Sequence, residues 1–454
     1  MRFPARPPNI DPRALAPDLF ATLLKNSSPV LPDGRYLHWN ELRFRPPPEG
    51  LKAEQWWLAQ KFARSSARAP IRGFSEDGLD FWYCRLDAID RATHELDRKD
   101  AARELIDAMG DEGVRRRYRI DQLIEEAINS SLIEGAKLTT RAQAKEMVRD
   151  GKEPTSRGER MVLNNYAAMR RLLEIAPQRT LTLDDLLEIH AILGEDALDS
   201  EGCAGRLRTA NDNLRVEDAI TGDVWFQPPP AESLRERLAL LLDFANQASD
   251  TQFVHPLIRA ITLHFWLAYL HPFVDGNGRM ARALFYWQML RAGYDFAQYL
   301  SISGPIDRSR RTYYLAFAYV ETDGGDLTYF VLHQLKVLRS ATDDLVNHLK
   351  SRSERLRYLE TAVADIAELN ERQQSVLAYL ARNPHQSVTI SRHAKSHDVV
   401  YLTARRDLQD LEGKELLRRV RQGRTDRYYP TDGFLNRSGN PTGTQNPKLG
   451  PPIR

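Results

Sequence analysis

The chain has 454 residues, 42% of them hydrophobic, and a formal net charge of +2 from 64 Lys and Arg against 62 Asp and Glu. That length suggests about two to four domains; the hydrophobic content excludes wholesale disorder, and the charge balance confines any nucleic-acid binding to a local patch. Two cysteines, Cys84 and Cys203, rule out a disulfide framework or cysteine-rich zinc domain, and no apolar run approaches the roughly 18 residues of a membrane span. With no signal core at the start, the expectation is a cytoplasmic protein with no membrane partner.

The stretch to about Asn40 is proline-rich and weakly periodic and reads as an extended lead-in. Apolar residues at three- and four-residue spacing then predict helices over about 52–65, 81–108, 114–131, 141–150, 156–175 and 183–193, with Ser156 and Thr182 as N-caps. Residues 211–227 break this rhythm. Leu214-Arg215-Val216 and Val224-Trp225-Phe226 alternate on either side of a turn containing Gly222, which predicts a β-hairpin closed by Pro228-Pro229-Pro230. Helical patterns resume over 233–246, 256–270, 280–291, 308–320, 328–348 and 352–370. Beyond residue 370, three shorter helix patterns (371–382, 389–397 and 401–416) precede an alternating stretch from 418 to 429, the order of a winged helix with a two-stranded wing. The tail from Gly433 is dominated by Gly, Pro, Asn and Thr and is expected to be disordered.

The chemistry concentrates in His271-Pro272-Phe273-Val274-Asp275-Gly276-Asn277-Gly278-Arg279-Met280-Ala281-Arg282. The helix before it must stop near Pro272, because proline disfavours helical geometry in its predecessor. Gly276-Asn277-Gly278 permits positive φ and a tight turn with exposed N–H groups, opening onto a helix N-terminus where phosphate binds well. Arg279 and Arg282 share one face of that helix, in the first turn, where the macrodipole disfavours each cation by roughly 0.3–1 kcal/mol; an anionic partner would justify them. Asp275 offers an oxygen of the kind that holds Mg²⁺ beside phosphates, and His271 is the local group that titrates near neutrality. Taken singly, each residue is better explained as a turn, a surface ion pair or a structural histidine. Together in one loop between apolar helices they point to phosphate chemistry.

This loop resembles the signature of the Fic family, His-x-Phe-x-Asp/Glu-Gly-Asn-Gly-Arg-x-x-Arg, with every defined position filled, and the resemblance extends over about residues 117–348. It implies a mainly α fold, a Fic helical core with a β-hairpin flap, and transfer of AMP from ATP to a Ser, Thr or Tyr hydroxyl of a target protein. His271 would then be the general base, Asp275 the Mg²⁺ ligand, and Gly276, Asn277 and Gly278 the phosphate cradle. Arg279 and Arg282 would bind the β/γ end and stabilise the leaving pyrophosphate. Retention of Gly278 favours AMP transfer over the Doc-like phosphotransferase branch, which typically has lysine there. Tyr313 and Tyr314 stand where the family often places aromatics near adenine; an asparagine that some relatives have shortly afterwards has no counterpart, since Glu321-Thr322-Asp323 occupy the region.

Upstream, Ser130-Ser131-Leu132-Ile133-Glu134-Gly135 resembles the family's inhibitory motif in its N-terminal, second-class position. The resemblance implies that Glu134 meets Arg282 at rest and occupies the place of the γ-phosphate. In some relatives the same glutamate supports removal of AMP. The hairpin corresponds to the flap that pins a target segment by strand addition.

Between residues 371 and 430, 12 basic residues face 7 acidic ones, a local balance of 12 − 7 = +5. The segment resembles the winged helix-turn-helix (α+β) modules of bacterial Fic proteins. Thr403, Arg405, Arg406 and Gln409 have the right types for a DNA-reading helix, and Arg424 would flank the wing near phosphates. A scaffold or protein-binding role is the alternative for this module. The expected domains are an N-terminal arm and helical region (1–110), a Fic core including the inhibitory helix (111–350), a linker helix and winged helix (351–432), and the tail (433–454). Two functions compete: an autoinhibited adenylyltransferase, or a nucleotide-sensing DNA-binding regulator. Fic cores often self-associate, so a homodimer is compatible with either.

Overall fold

A computed structural model of the chain describes residues 3–11, 17–76, 79–98, 106–107, 112–138, 140–176, 180–198, 202–217, 222, 224–247, 253–364, 366, 369–382, 386–422 and 425–437. The chain forms two compact units, Met1–Leu345 and Val346–Arg454, dividing within the long helix Thr328–Ala364. Among the described residues no helix is long and apolar enough to cross a membrane.

The first unit begins with its own apolar cluster. Leu23, Leu31, Leu37, Trp39, Trp56 and Trp57 are buried together, on helices Pro17–Lys25, Trp39–Leu42 and Ala53–Ser66 and, for Leu31 and Leu37, on the connection between the first two. The stretch before Asn40 is therefore partly built into a core, which corrects the extended lead-in expected from its prolines. A second correction concerns residues 81–108. Arg68–Glu76 and Leu79–Cys84 pair as an antiparallel hairpin, and the helix starts only at Asp87, running to Asp97. Phe81-Trp82-Tyr83 carries the aromatic preference of strands. Trp82 also exchanges main-chain bonds with a distant segment, its N–H donating to the Gly325 carbonyl and its own carbonyl accepting from Leu327 N–H at 2.7 Å. That non-local pairing left no local pattern to read.

At the centre lie two helices, Pro256–Leu270 and Asn277–Arg291, packed against each other. The first is buried along nearly its whole length, so it shows no polar face. Around them pack Glu112–Ile133, Arg157–Ile175 and Leu183–Gly194. Both expected N-caps are present: Ser156 Oγ accepts from Glu159 N–H at 3.2 Å, and Thr182 Oγ1 from Asp185 N–H at 3.2 Å, with Asp185 reaching back to Thr182. The expected 308–320 helix is present as Arg310–Thr322, preceded by a short separate helix Ser303–Arg308, and the patterns at 328–348 and 352–370 join in Thr328–Ala364. The flap hairpin is present as Val216–Glu217 paired with Val224–Phe226.

The second unit has the order expected of a winged helix: helices Glu371–Arg382, Ile390–Ser396 and Tyr401–Gly413, then strands Leu417–Gln422 and Thr425–Pro430. The wing is three-stranded rather than two-stranded, because Val388–Thr389 adds to the edge of Thr425–Pro430. Its core gathers Leu377, Leu380, Ala404, Leu408, Leu411 and Tyr428, with Phe434 and Leu435. Those last two lie on a short helix, Asp432–Arg437, so the ordered chain extends past residue 433; most of the tail expected to be disordered lies outside the described residues, as does Arg424.

Candidate active site

The buried helix Pro256–Leu270 ends by passing its last turn into His271, which takes the left-handed region at φ 48° and ψ 55°. A β-carbon makes that region costly, by roughly 1–3 kcal/mol, so the surroundings must hold it. Arg208 does so, donating from Nε to the His271 carbonyl at 2.7 Å and from Nη2 to the carbonyls of Leu270 (3.2 Å) and Pro229 (2.5 Å). The His271 imidazole is fixed as well. Its Nδ1 lies 3.1 Å from the Ala268 carbonyl, and a carbonyl only accepts, so Nδ1 carries the proton and Nε2 keeps its lone pair. Burial lowers the pKa of the ring, which favours this neutral form at neutral pH.

The loop that follows is locked by its own side chains. The Asn277 carboxamide accepts from Phe273 N–H at 3.0 Å and donates to the Phe273 carbonyl at 2.8 Å. It is thereby committed to the turn, leaving only the backbone of Asn277 for a ligand. Gly276 sits at φ 81° as the N-cap of helix Asn277–Arg291, and its N–H reaches Asp275 Oδ1 at 2.5 Å. His190, from the helix Leu183–Gly194, stacks on Phe273 with 3.7 Å between ring centroids. Its Nδ1 accepts from Gly205 N–H at 3.0 Å, so Nε2 bears the proton donated to the Asp275 carbonyl at 2.9 Å. Burial pushes His190 down to about 4, which keeps this tautomer in place.

Two arginines rise from the first two turns of that helix into the interior, each 1% exposed. Arg279 Nη1 donates to the Leu193 carbonyl at 3.1 Å, while its Nε and Nη2 have no hydrogen-bond partner among the described residues. Arg282 donates from Nε to Ser130 Oγ at 2.9 Å, and from Nη2 to Ser130 O at 3.0 Å and to Glu134 Oε1 at 2.8 Å; its Nη1 has no hydrogen-bond partner among the described residues. Burial opposes the charge of Arg282, but Glu134, Tyr313 and Glu126 together outweigh it and raise the pKa. Asp275 is looser, 3.7 Å from Arg157 and 3.8 Å from Arg279.

Glu134 follows directly on the helix Glu112–Ile133, and Gly135 turns the chain away at φ 85°. Its carboxylate lies against the first turn of the site helix: a Cβ added at Gly278 would collide with Glu134 Oε1. The side chain thus lies at a helix N-terminus, where an anion is favoured. The helix that delivers it is bolted down by Glu126, which accepts from Ser301 Oγ, Ser303 N–H and Ser303 Oγ at 2.9, 2.9 and 2.5 Å.

The two tyrosines part company. Tyr313 is 3% exposed, its hydroxyl 2.9 Å from His264 Nε2 and its ring among Phe317 and Phe330. Tyr314 is 40% exposed and feels both Glu134 and Arg282, so it is the ring of the pair open to a ligand. In the second unit, Arg405, Arg406 and Gln409 are exposed and Thr403 is half-buried on one helix. Arg372, by contrast, is tied in a bidentate pair to buried Asp407, which also meets His393 and Asn370.

His190, Arg208, Glu126 and Arg157 were not anticipated from sequence. Each acts through a contact tens of residues away in the chain, and none sits in a local motif.

Residues 180–289 match the model of the Fic/DOC family, and residues 372–425 that of the DeoR-like helix-turn-helix domain. The chain is 32% identical over 170 residues to "Protein adenylyltransferase Fic" from Nematostella vectensis, an alignment spanning 37% of each chain. It is 31% identical over 210 residues to "Protein adenylyltransferase fic-1" from Caenorhabditis briggsae, spanning 46% of this chain and 37% of the relative. The chain therefore spans well under half the length of these curated relatives. A crystal structure of a Fic family protein from Desulfovibrio desulfuricans shares the fold, with TM-score 0.50 and 24% identity over 77% of this chain and 98% of that one. The chain thus carries a Fic/DOC-family domain, joined to a DeoR-like helix-turn-helix domain.

Proposed function

We propose that the chain is an autoinhibited protein adenylyltransferase, transferring AMP from ATP to a Ser, Thr or Tyr hydroxyl of a target protein. One observation carries the proposal: the Glu134 carboxylate is lodged on Arg282 at a helix N-terminus, beside buried arginine donors that the protein leaves unfilled. The names of the curated relatives support the same activity.

In this reading the triphosphate takes the space of the Glu134 carboxylate. Arg282 and Arg279 meet its β/γ end, and the N–H groups of Asn277 and Gly278, with that of Gly276 once it leaves Asp275 Oδ1, meet its oxygens. His271 Nε2 accepts the proton of the target hydroxyl. The hydroxyl oxygen bonds to the α-phosphorus as the bridging bond to the β-phosphate breaks, and pyrophosphate leaves with its charge on the arginines. Asp275 would hold Mg²⁺ against the phosphates. One carboxylate with phosphate oxygens completing the shell suits that ion, and among the described residues no cluster of three His, Cys, Asp or Glu side chains would hold a metal alone. Bound there, the ion would neutralise phosphate charge. Tyr314 offers a face for the base, and the Val216–Phe226 hairpin an edge for the target segment.

The test is incubation of the full chain with ATP labelled on the α-phosphate, with and without candidate target proteins. Label on protein that rises strongly in Glu134→Gly and vanishes in His271→Ala is expected. Equal labelling by wild type and Glu134→Gly would remove the autoinhibition.

The helix-turn-helix match supports a second reading, a nucleotide-sensing regulator that binds DNA. The exposed Arg405 and Arg406 would then touch DNA, and replacing both by alanine would weaken the salt dependence of binding by about one unit of slope per lost phosphate contact. DNA binding together with ATP binding but no transfer of label would favour it over the enzyme.

A further inference from the structure

The flap hairpin has a resident neighbour. Along its second strand, Val224–Phe226, successive side chains point to opposite faces. Phe226 turns onto Tyr269, with 5.1 Å between ring centroids, two residues before His271. Trp225 turns the other way and meets Phe3 edge to face at 6.0 Å.

Phe3 belongs to a seated segment. Pro4 is buried, Ala5 N–H donates to Asn40 Oδ1 at 3.0 Å, and Ala5 and Ile10 pack on the N-terminal apolar cluster. The anchor point is itself rigid. His38, two residues before Asn40, is fully buried, stacks on Tyr319 at 4.2 Å with rings 9° from parallel, and accepts from Asn40 N–H through Nδ1. Tyr319 lies on Arg310–Thr322, the helix that also carries Tyr314 beside the Glu134–Arg282 pair. The arm therefore reaches the flap from a footing fixed to the nucleotide site. Phe3 stays 37% exposed, so a single half-open aromatic pair makes this contact, the kind that a competing aromatic group displaces.

We propose that the N-terminal arm, residues 3–11, is a strap seated on the flap: Phe3 on Trp225 holds the hairpin, and an incoming target segment with an aromatic residue in an extended, proline-flanked stretch displaces it. The inference rests on the reading of the hairpin as the target-docking element. Arg2-Phe3-Pro4-Ala5-Arg6 gives the chemistry of the displacing segment, since Pro4 keeps the backbone extended and removes a competing N–H donor.

Amide hydrogen exchange over residues 216–226 tests it in the full chain, without turnover. Phe3→Ala and Trp225→Ala should each speed exchange there by roughly two- to tenfold, the worth of one aromatic pair, and the double variant should do no more than the larger single change. A peptide of this chain's residues 1–11, added to the Phe3→Ala protein, should restore protection, and the same peptide with alanine in place of Phe3 should not. Unchanged exchange in Phe3→Ala, or additive effects in the double variant, would overturn the strap. The outcome is separable from that of the enzyme proposal. Altered exchange with no labelling by ATP removes adenylyl transfer and leaves the strap, whereas labelling with unaltered exchange removes the strap alone.

Discussion

Replacing Glu134 sets the stability of the resting fold against affinity for the nucleotide. The Glu134–Arg282 contact is 2.8 Å long, between side chains 24% and 2% exposed. Removing one partner of a fully buried pair costs roughly 3–5 kcal/mol. Two features moderate that figure here: Glu134 is partly solvated, and Arg282 keeps its bonds to Ser130 O and Oγ. A cost of about 2 kcal/mol is expected, shifting the melting temperature of the first unit down by several degrees. Glycine adds backbone freedom worth roughly 0.5–1 kcal/mol, so Glu134→Gln is the cleaner companion variant.

The same free energy enters ATP binding with opposite sign. If Glu134 holds the place of a phosphate, the triphosphate must break the wild-type pair before it meets Arg282. In the variant it re-pairs an arginine already stranded. A difference of about 2 kcal/mol corresponds to a roughly 30-fold lower Kd for ATP in the variant. Calorimetric titration gives the ratio directly, and thermal melts give the crossover: without ATP the variant melts below wild type, and at saturating ATP it melts at or above it. A Kd ratio within threefold, or a variant that without ATP melts no lower than wild type, would refute the idea that Glu134 holds the place of a phosphate.

Other consequences can be checked together. Gly278→Ala should lower the melting temperature, because its Cβ meets Glu134 Oε1, and that penalty should shrink in the Glu134→Gly background; equal penalties in both would contradict the contact. His271 lies below its ordinary 6.5 through burial, so labelling by the Glu134→Gly form should fall to half its maximum only below about pH 6.5. A half-maximum above pH 7 would exclude a buried neutral base. His190 is held at about 4 against an ordinary 6.5, so the unfolded chain takes up that proton first, and stability complete above pH 6.5 is withdrawn as pH falls toward 4. His190→Gln, which can both accept and donate, should flatten this slope and retain labelling, whereas His190→Leu should lose labelling. Asp407→Asn should lower the melting of the second unit by about 5 °C or more, because Arg372 and His393 both lean on that carboxylate, while leaving ATP binding unchanged.

Much of the site was legible because its parts are adjacent in sequence. Pro272 marks the helix end, the glycines mark the turn, and Arg279 and Arg282 fall three apart on one face. Glu134 was legible only through a short motif, since nothing local says that residue 134 lies against residue 278. The supports were not legible for the same reason. His190 reads as one polar residue on an apolar helix, and Arg208 as one of several arginines, until the fold brings one to the Asp275 carbonyl and the other to the His271 carbonyl. The misread 81–108 region follows the same logic: the Trp82 strand is fixed by pairing with residues 325–327, more than two hundred positions away. The tyrosine pair shows the converse limit. Adjacent residues on a helix point in different directions, so Tyr313 is buried and Tyr314 is open.

The site is only half satisfied, which bears on how firmly the proposed Glu134 block would hold. Arg157, Arg279 and Arg282 face two carboxylates, Asp275 and Glu134, and both contacts to Asp275 are long, at 3.7 and 3.8 Å. Three buried guanidinium nitrogens, two on Arg279 and one on Arg282, have no acceptor among the described residues, although an unmet buried donor costs roughly 1–3 kcal/mol. A brake designed only to close the site would fill them. Leaving them open keeps the pocket short of negative charge, so a polyanion gains more there than Glu134 does. Inhibition should accordingly be surmountable: in wild type, rising ATP should bring labelling toward the Glu134→Gly level. In Arg279→Lys, which removes the two unfilled donors but keeps a positive charge, the ATP concentration needed should rise. A wild type whose labelling stays flat as ATP saturates would mean that the Glu134 carboxylate blocks alignment of the bound nucleotide rather than its entry.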